Sequence, residues 1–455
     1  MPRTLQDLRD EADRRLAEGK TIDALKVYRL VLEGEPLDFE LRLEIGDIVA
    51  SLGQRDLASN VYLAVAEHDV KSGNPLRAMA ALNRPNSFGG EVTSAKALLT
   101  QYYSADSSML GRGIKPAPAD LSAEVREDLD IDYAIDEAKL VLETANMAAF
   151  TDNIENYPGV VPPVPIFSTL KRMAFTELLT KLSLKQFKPG EAIVRQGDPG
   201  EAVFFIARGE VSVVRSQDSE EDEQLVHLAR LGPGSIFGEM ALVSTDPRSA
   251  SVVCETAVDA LELTRENIEE LAFKIAQVGG AMARFTQERM ISNLLATNPI
   301  FKPFDEEQQK NLLSRFTGHE VPAETIFLEQ QTPGKGLYVI LRGHAEVLKY
   351  QDGEYTKIAE LGPGDVAGEI SLLFEEPVSA TVRTTTPTTL LFLAREIFMP
   401  LVEAIPELLA HFNKLAEERL VDTDFKMMQR TVVDDDFIEE LDEDADISDD
   451  DLVFI

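Results

Sequence analysis

Tryptophan is absent from this chain of 455 residues, and cysteine occurs once, at Cys254. A single thiol excludes an internal disulfide framework and any metal site built on several cysteines. Histidine is scarce as well. His68, His227, His319, His344 and His411 stand at no metal-ligand spacing and are read as surface or satisfied core residues, so no metal is expected. Basic residues number 44 against 80 acidic ones, for a net charge of −36. That field repels phosphate backbones and anionic lipid, so neither nucleic acid nor a membrane is an expected partner. No apolar run reaches the roughly 18 residues of a membrane span. The N-terminus, Met1-Pro2-Arg3-Thr4, runs into charged residues without the apolar core of a signal peptide. These absences point to a soluble cytoplasmic protein. There is also no Gly-x-Ser-x-Gly elbow, P-loop or kinase signature, and acidic pairs such as Glu375-Glu376 read as solvated faces. No enzyme and no cofactor is expected.

Hydrophobic residues make up 44% of the chain, ample for several cores. Residues 1–83 show helical periodicity and a repeat. Gly19 and Gly53, Ala24 and Ala58, Tyr28 and Tyr62, and Ala12 and Gly46 fall in the same register, with Pro36 closing the first unit. Small residues at such places let two helices approach, and the tyrosine fills the groove between pairs. Gly73 followed by Ala78 comes too soon for another full unit, which predicts a shared helix or a truncated last unit. Over about residues 5–82 the segment resembles tetratricopeptide repeats, whose period is about 34 residues. Residues 84–160 form a helical and linker region, with helix patterning at Tyr133–Met147. Tyr157-Pro-Gly-Val-Val-Pro-Pro-Val-Pro165 reads as a stiff, extended linker.

The next stretch is duplicated. Pro165-Ile-Phe167 recurs as Pro299-Ile-Phe301, Leu231-Gly-Pro-Gly234 as Leu361-Gly-Pro-Gly364, Gly238-Glu239 as Gly368-Glu369, and Ser249-Ala250 as Ser379-Ala380. Short β-rich runs with regular turn signals, such as Val203–Ile206, Glu210–Arg215, Leu225–Leu228 and Ser251–Cys254, predict jelly-roll-like barrels. Each is followed by a helical stretch, Arg265–Leu295 and Arg395–Leu420. The fold class is therefore multidomain α + β: an N-terminal α-helical repeat, then two tandem β jelly-roll barrels with flanking helices at 161–297 and 298–425. The last segment, 426–455, is an acidic tail expected to stay extended and solvated, ending in the apolar tip Leu452-Val-Phe-Ile455.

Chemistry concentrates at Phe237–Ser251 (FGEMALVSTDPRSAS). Gly238 permits close backbone approach. Glu239 offers a carboxylate to a pair of hydroxyls. Met240, Ala241 and Leu242 can open a short helical turn whose N–H groups face an anion. Pro247 fixes the chain before Arg248, whose planar fork suits phosphate oxygens. Ser249 and Ala250 are small enough for a ligand to lie against the backbone. One cationic fork, one carboxylate and exposed amides together suit a ribose cyclic phosphate. The stretch resembles the phosphate-binding cassette of cyclic nucleotide-binding domains, as in protein kinase A regulatory subunits and the catabolite activator family, and the resemblance covers about residues 165–420. It implies that Arg248 binds the equatorial cyclic phosphate oxygen, that Glu239 binds the ribose 2′-hydroxyl, and that backbone groups of Gly238, Ala241 and Ser249 complete the site. It also implies that Arg208-Gly209 is a barrel turn without ligand contact.

In the second repeat Val378 stands where Arg248 stands, and Glu375 and Glu376 add negative charge nearby. With Gly368 and Glu369 retained but the cation gone, the second site reads as degenerate. Arg383 is the other cation considered for that place, although it lies further along the expected strand. Ser249 leaves cyclic AMP and cyclic GMP both open, with cyclic AMP favoured. A base-capping residue is expected from the helix after the barrel or from the second barrel. No helix-turn-helix follows, which argues against DNA binding. The function expected is a cyclic nucleotide sensor that meets protein partners through its helical repeats and its acidic tail. The alternative is a nucleotide-independent scaffold whose barrels and repeats are interaction modules.

Overall fold

The structure is a computed structural model and describes residues 3–87, 89–113, 119–125, 134–151, 157–218, 223–239, 247–351 and 353–422. The acidic tail at 426–455 lies outside them. The chain forms two compact units that meet at Thr286 and Gln287.

The first unit begins with helices α1 (Leu5–Ala17), α2 (Thr21–Gly34), α3 (Phe39–Ser51), α4 (Arg55–Ser72), α5 (Pro75–Ser87), α6 (Thr93–Tyr103) and α7 (Glu137–Ala149). Thr4 and Asp7 form a capping box at the start of α1, and the Asp38 carboxylate caps α3 at the Leu41 N–H. The first and third helices start 34 residues apart, and so do the second and fourth. Gly19 and Gly53 turn the chain within each pair at φ of +77° and +84°. The small residues of the repeat are buried, and one of them packs against a repeat tyrosine. Ala12, Ala24 and Ala58 are fully buried, and a Cβ on Gly46 would lie 2.6 Å from the Tyr62 ring. The buried tyrosines donate to Asp13 (Tyr28, 2.6 Å) and Asp47 (Tyr62, 2.8 Å). The early Gly73 ends α4 in the left-handed conformation, and α5 then packs back on α4 and also against β3, β8 and β1. The Pro-rich segment read as a linker is not a spacer. Val161 and Val164 are buried, and Val161 bonds through its N–H to Met109 O at 2.8 Å. Prolines favour extended backbone whether a segment is solvated or packed, so composition alone did not separate the two.

A barrel completes this unit. After α8 (Arg172–Lys181) come β1 (Ser183–Phe187), β2 (Ala192–Val194), β3 (Ala202–Arg208), β4 (Val211–Asp218), β5 (Glu223–Leu231), β6 (Ile236–Phe237), β7 (Ser251–Cys254) and β8 (Val258–Thr264). They form two antiparallel sheets, ordered β1-β8-β3-β6 and β2-β7-β4-β5. Helices α9 (Arg265–Lys274) and α10 (Ala276–Thr297) follow. Strand β3 is buried on both faces. Ala202, Phe204 and Ile206 enter the barrel core, while Val203, Phe205 and Ala207 join the core of the helical region. A buried ion cluster also joins these layers. Arg84 of α5 binds Asp47 of α3 at 2.7 Å and Asp259 of β8 at 2.9 Å, and Arg208 at the end of β3 pairs with the same Asp259 at 2.9 Å.

The second unit repeats the barrel with α11 (Glu306–Leu313), β9 (Thr317–Val321), β10 (Ile326–Leu328), β11 (Gly336–Arg342), β12 (Ala345–Gln351), β13 (Glu354–Leu361), β14 (Val366–Ala367), α12 (Glu369–Leu373), β15 (Thr381–Thr384), β16 (Thr388–Ala394) and α13 (Arg395–Ala404). A last helix, α14, covers residues 406–422. The sheet orders, β14-β11-β16-β9 and β10-β15-β12-β13, match strand for strand those of the first barrel.

Candidate ligand site

Pairing of β3 with β6 sets Phe204 opposite Phe237, their rings stacked at 5.2 Å, and delivers the chain to Gly238. Gly238 has φ of +78°, and a Cβ there would lie 2.7 Å from Arg248 Nη1 and 2.9 Å from Ala202 O. Both backbone conformation and space therefore demand glycine. Glu239 follows at once and is buried.

Arg248 reaches this point from the far side of the cassette. Its Nη2 donates to Ala202 O at 2.7 Å and its Nη1 to Gly238 O at 3.2 Å. Two of the five guanidinium N–H groups are engaged in this way. Its backbone is clamped too, with N–H to Asp198 O at 2.8 Å and carbonyl to Gly197 N at 2.9 Å. Burial lowers the pKa of the guanidinium, while the Glu239 carboxylate opposes that shift. Ser249 O accepts from Arg215 Nε at 3.1 Å, and Ala250 follows it into β7. The arrangement is a half-buried cation held by main-chain carbonyls beside a buried carboxylate, a pairing whose chemistry suits an anion that carries hydroxyls. Met240, Ala241 and Leu242 lie outside the described residues.

The second barrel keeps this frame to the level of single bonds. Gly368 has φ of +94°, and a Cβ there would meet Gly336 O at 2.7 Å, as Gly238 would meet Ala202 O. Val378 N–H donates to Thr332 O at 2.9 Å and Val378 O accepts from Gln331 N at 2.8 Å, the same clamp that holds Arg248. The short helix α12 begins at Glu369, directly after the glycine. The Val378 side chain is buried with Leu328, Ala367 and Val382 in the apolar core. Arg383 is turned elsewhere, toward Glu346 at 2.9 Å and Glu324 at 3.3 Å.

A different cation occupies the pocket, one that sequence reasoning missed. Arg419 of α14 donates through Nη1 to Glu369 Oε1 at 2.6 Å and to Val366 O at 2.8 Å. It lines, with Glu369, Gly368 and Val378, a cavity of about 100 Å³. Nothing local marks Arg419 in the run HFNKLAEERL. Its role depends on where a helix beyond the barrel returns.

Residues 184–274 and 319–404 each match the cyclic nucleotide-binding domain family. The chain carries two cyclic nucleotide-binding domains in tandem. It is similar to a cAMP-dependent protein kinase type II regulatory subunit of Drosophila melanogaster, at 26% identity over 50% of this chain and 55% of that one. It is similar also to a cAMP-dependent protein kinase regulatory subunit of Yarrowia lipolytica, at 29% over 52% of this chain and 58% of that one. The chain thus spans little more than half the length of these relatives. Among solved structures it is similar to the regulatory domain of Toxoplasma gondii PKA crystallised with cAMP, at 23% identity and a TM-score of 0.26, covering 55% of this chain and 92% of that one. The matched domains contain every candidate site residue except Arg419, which lies beyond the second match. Among the described residues no cluster of three or more His, Cys, Asp or Glu is placed to hold a metal, and no helix is long and apolar enough to cross a membrane.

Proposed function

We propose that this chain is a non-enzymatic, cytoplasmic receptor for one cyclic mononucleotide, held in the first cyclic nucleotide-binding domain. The observation that carries the reading is the Arg248 guanidinium, anchored by Ala202 O and Gly238 O next to buried Glu239. Arg248 takes the cyclic phosphate and Glu239 the ribose 2′-hydroxyl. Gly238, Ser249 and Ala250 line the approach, Met240 and Ala241 are assigned to the ligand from the sequence motif alone, and cyclic AMP is the preferred ligand over cyclic GMP. The second domain binds no cyclic nucleotide, because Val378 offers no charge and Glu369 is already paired with Arg419.

The coupling runs through the segment before β3. Arg265, the first residue of α9, donates its N–H to Glu201 O at 2.7 Å, one residue from the carbonyl that holds Arg248. Drawing Arg248 onto a phosphate disturbs the anchor of α9, and the barrel's output is a changed contact with a protein partner. The helical region, read as tetratricopeptide repeats, supplies a surface for that partner. Such a shift requires the ligand to bind one state more tightly than the other.

Isothermal titration with cyclic AMP and cyclic GMP tests the proposal. The intact chain should bind with one site per chain. Arg248→Ala should lose about 2–5 kcal/mol, or roughly 30- to 5,000-fold in affinity. No heat from the intact chain at high micromolar ligand would overturn the reading and leave the scaffold alternative.

A further inference from the structure

Helix α7 lies across α2, α3 and α4, far from its neighbours in sequence. Its apolar stripe, Leu140, Val141, Thr144, Ala145 and Ala148, is buried there. The contact ends on a specific device. Arg42 of α3 is buried, and its Nη1 donates to the carbonyls of Met147 (3.1 Å), Ala148 (2.6 Å) and Phe150 (2.9 Å). Its other nitrogens are held by Pro36 O, at 3.1 Å from Nε and 2.7 Å from Nη2. The last carbonyls of a helix lack partners within the helix and carry its negative end. Arg42 is thus a fixed cationic seat for a helix C-terminus. A second polar contact, Arg29 to Glu143 at 2.8 Å, sets the helix's rotation.

The fit of α7 is incomplete at two places. Thr144 Oγ1 is buried and finds no hydrogen-bond partner among the described residues. Beside the helix a cavity of about 410 Å³ stays open between Ile22, Leu52, Leu57 and Val141, and Leu142 at its edge is 47% exposed. A buried unpaired hydroxyl is a standing penalty that a methyl group in its place removes.

We propose that the groove of α2, α3 and α4 is a helix-binding site, occupied in cis by α7, that accepts in trans a partner helix of the same chemistry. That partner presents apolar residues at the positions of Leu140, Val141 and Thr144, small residues at those of Ala145 and Ala148, and an acid for Arg29. Its last carbonyls rest on Arg42. The inference gives the partner surface of the proposed function a location, and it stands or falls independently of nucleotide binding.

The test uses the full chain with a protease site introduced within 126–133 and another within 152–156, cut after purification. A fluorescent peptide of residues 134–151 should exchange into the cut protein, read by anisotropy without nucleotide. A Thr144→Val peptide should bind about fivefold more tightly or better. An Ala148→Asp peptide should lose at least about tenfold, since a buried unpaired charge is costly. Variation in the peptide leaves the receptor's fold untouched. The uncut chain gives a second measurement. Excess Thr144→Val peptide should accelerate amide exchange across Glu137–Ala149. Failure of the labelled peptide to enter the cut protein, or equal binding by the Val and Asp variants, would overturn the inference, as would unchanged amide exchange in the uncut chain.

Discussion

Val378 and Arg419 define what the second domain lacks and what has replaced it. The backbone clamp and the carbonyls of Gly336 and Gly368 remain, so an arginine at 378 would find the acceptors that Arg248 finds. It would still meet Glu369 already engaged by Arg419. Val378→Arg alone should therefore restore little binding, whereas Val378→Arg with Arg419→Ala should create a second site. Titration of cyclic AMP in an Arg248→Ala background reads the difference cleanly, and equal binding by the single and double variants would refute the role given to Arg419. At this scale the sequence was informative wherever the side chains that come together are also close in the chain. The placement of Glu239 beside Arg248, and of Val378 at the matching position, was legible because the cassette is contiguous. Arg419 and Arg42 were not, since each acts on a partner far away in the chain and only the folded path brings them together.

His68 shows how an element's packing becomes a dependence on pH. On α4 its ring stacks on Phe39 of α3 at 3.5 Å, and its Nδ1 lies 3.3 Å from the Tyr157 hydroxyl. Burial lowers its pKa to about 3, helped by the charges of Arg77, Arg42 and Lys71. The folded state therefore releases a proton that the unfolded chain, with a pKa near 6.5, retains. The stability this contributes is complete above that unfolded pKa and declines as pH falls toward the folded one. Between pH 6.5 and 5 the first unit should lose about 2 kcal/mol from this group. Urea melts of the intact chain and of His68→Gln should differ in slope over that window, and identical slopes would exclude the assignment. The helices themselves were readable, because glycine and alanine positions repeat with a fixed offset. The burial of the Pro-rich segment was not, because an extended backbone has the same composition in water and in a core.

Across the first unit, the cluster of Arg84, Asp47, Asp259 and Arg208 joins helix to sheet. Burial works against the charge on Asp259, but Arg84 and Arg208 hold its carboxyl below the ordinary carboxylate range. Breaking one member leaves an uncompensated buried charge, at a cost of about 3–5 kcal/mol. Arg84→Ala should separate the unfolding of the helical region from that of the barrel, giving two urea transitions where the unaltered first unit should give one. Tyrosine fluorescence, which within the first unit comes only from residues that precede the barrel, would report the helical region and amide exchange in β1 to β8 the barrel, and a single shared transition would argue against the link.

Strand β3 adds a consequence of another kind. Its two faces belong to different cores, so the edge of the family match at residue 184 is not an edge of the folded object. A gene segment cut at the family boundary would pass on a sheet with Val203 and Phe205 bare. The helices and the first barrel should therefore express well only as one folding block, and a fragment begun at residue 184 should self-associate where one that keeps the helices does not.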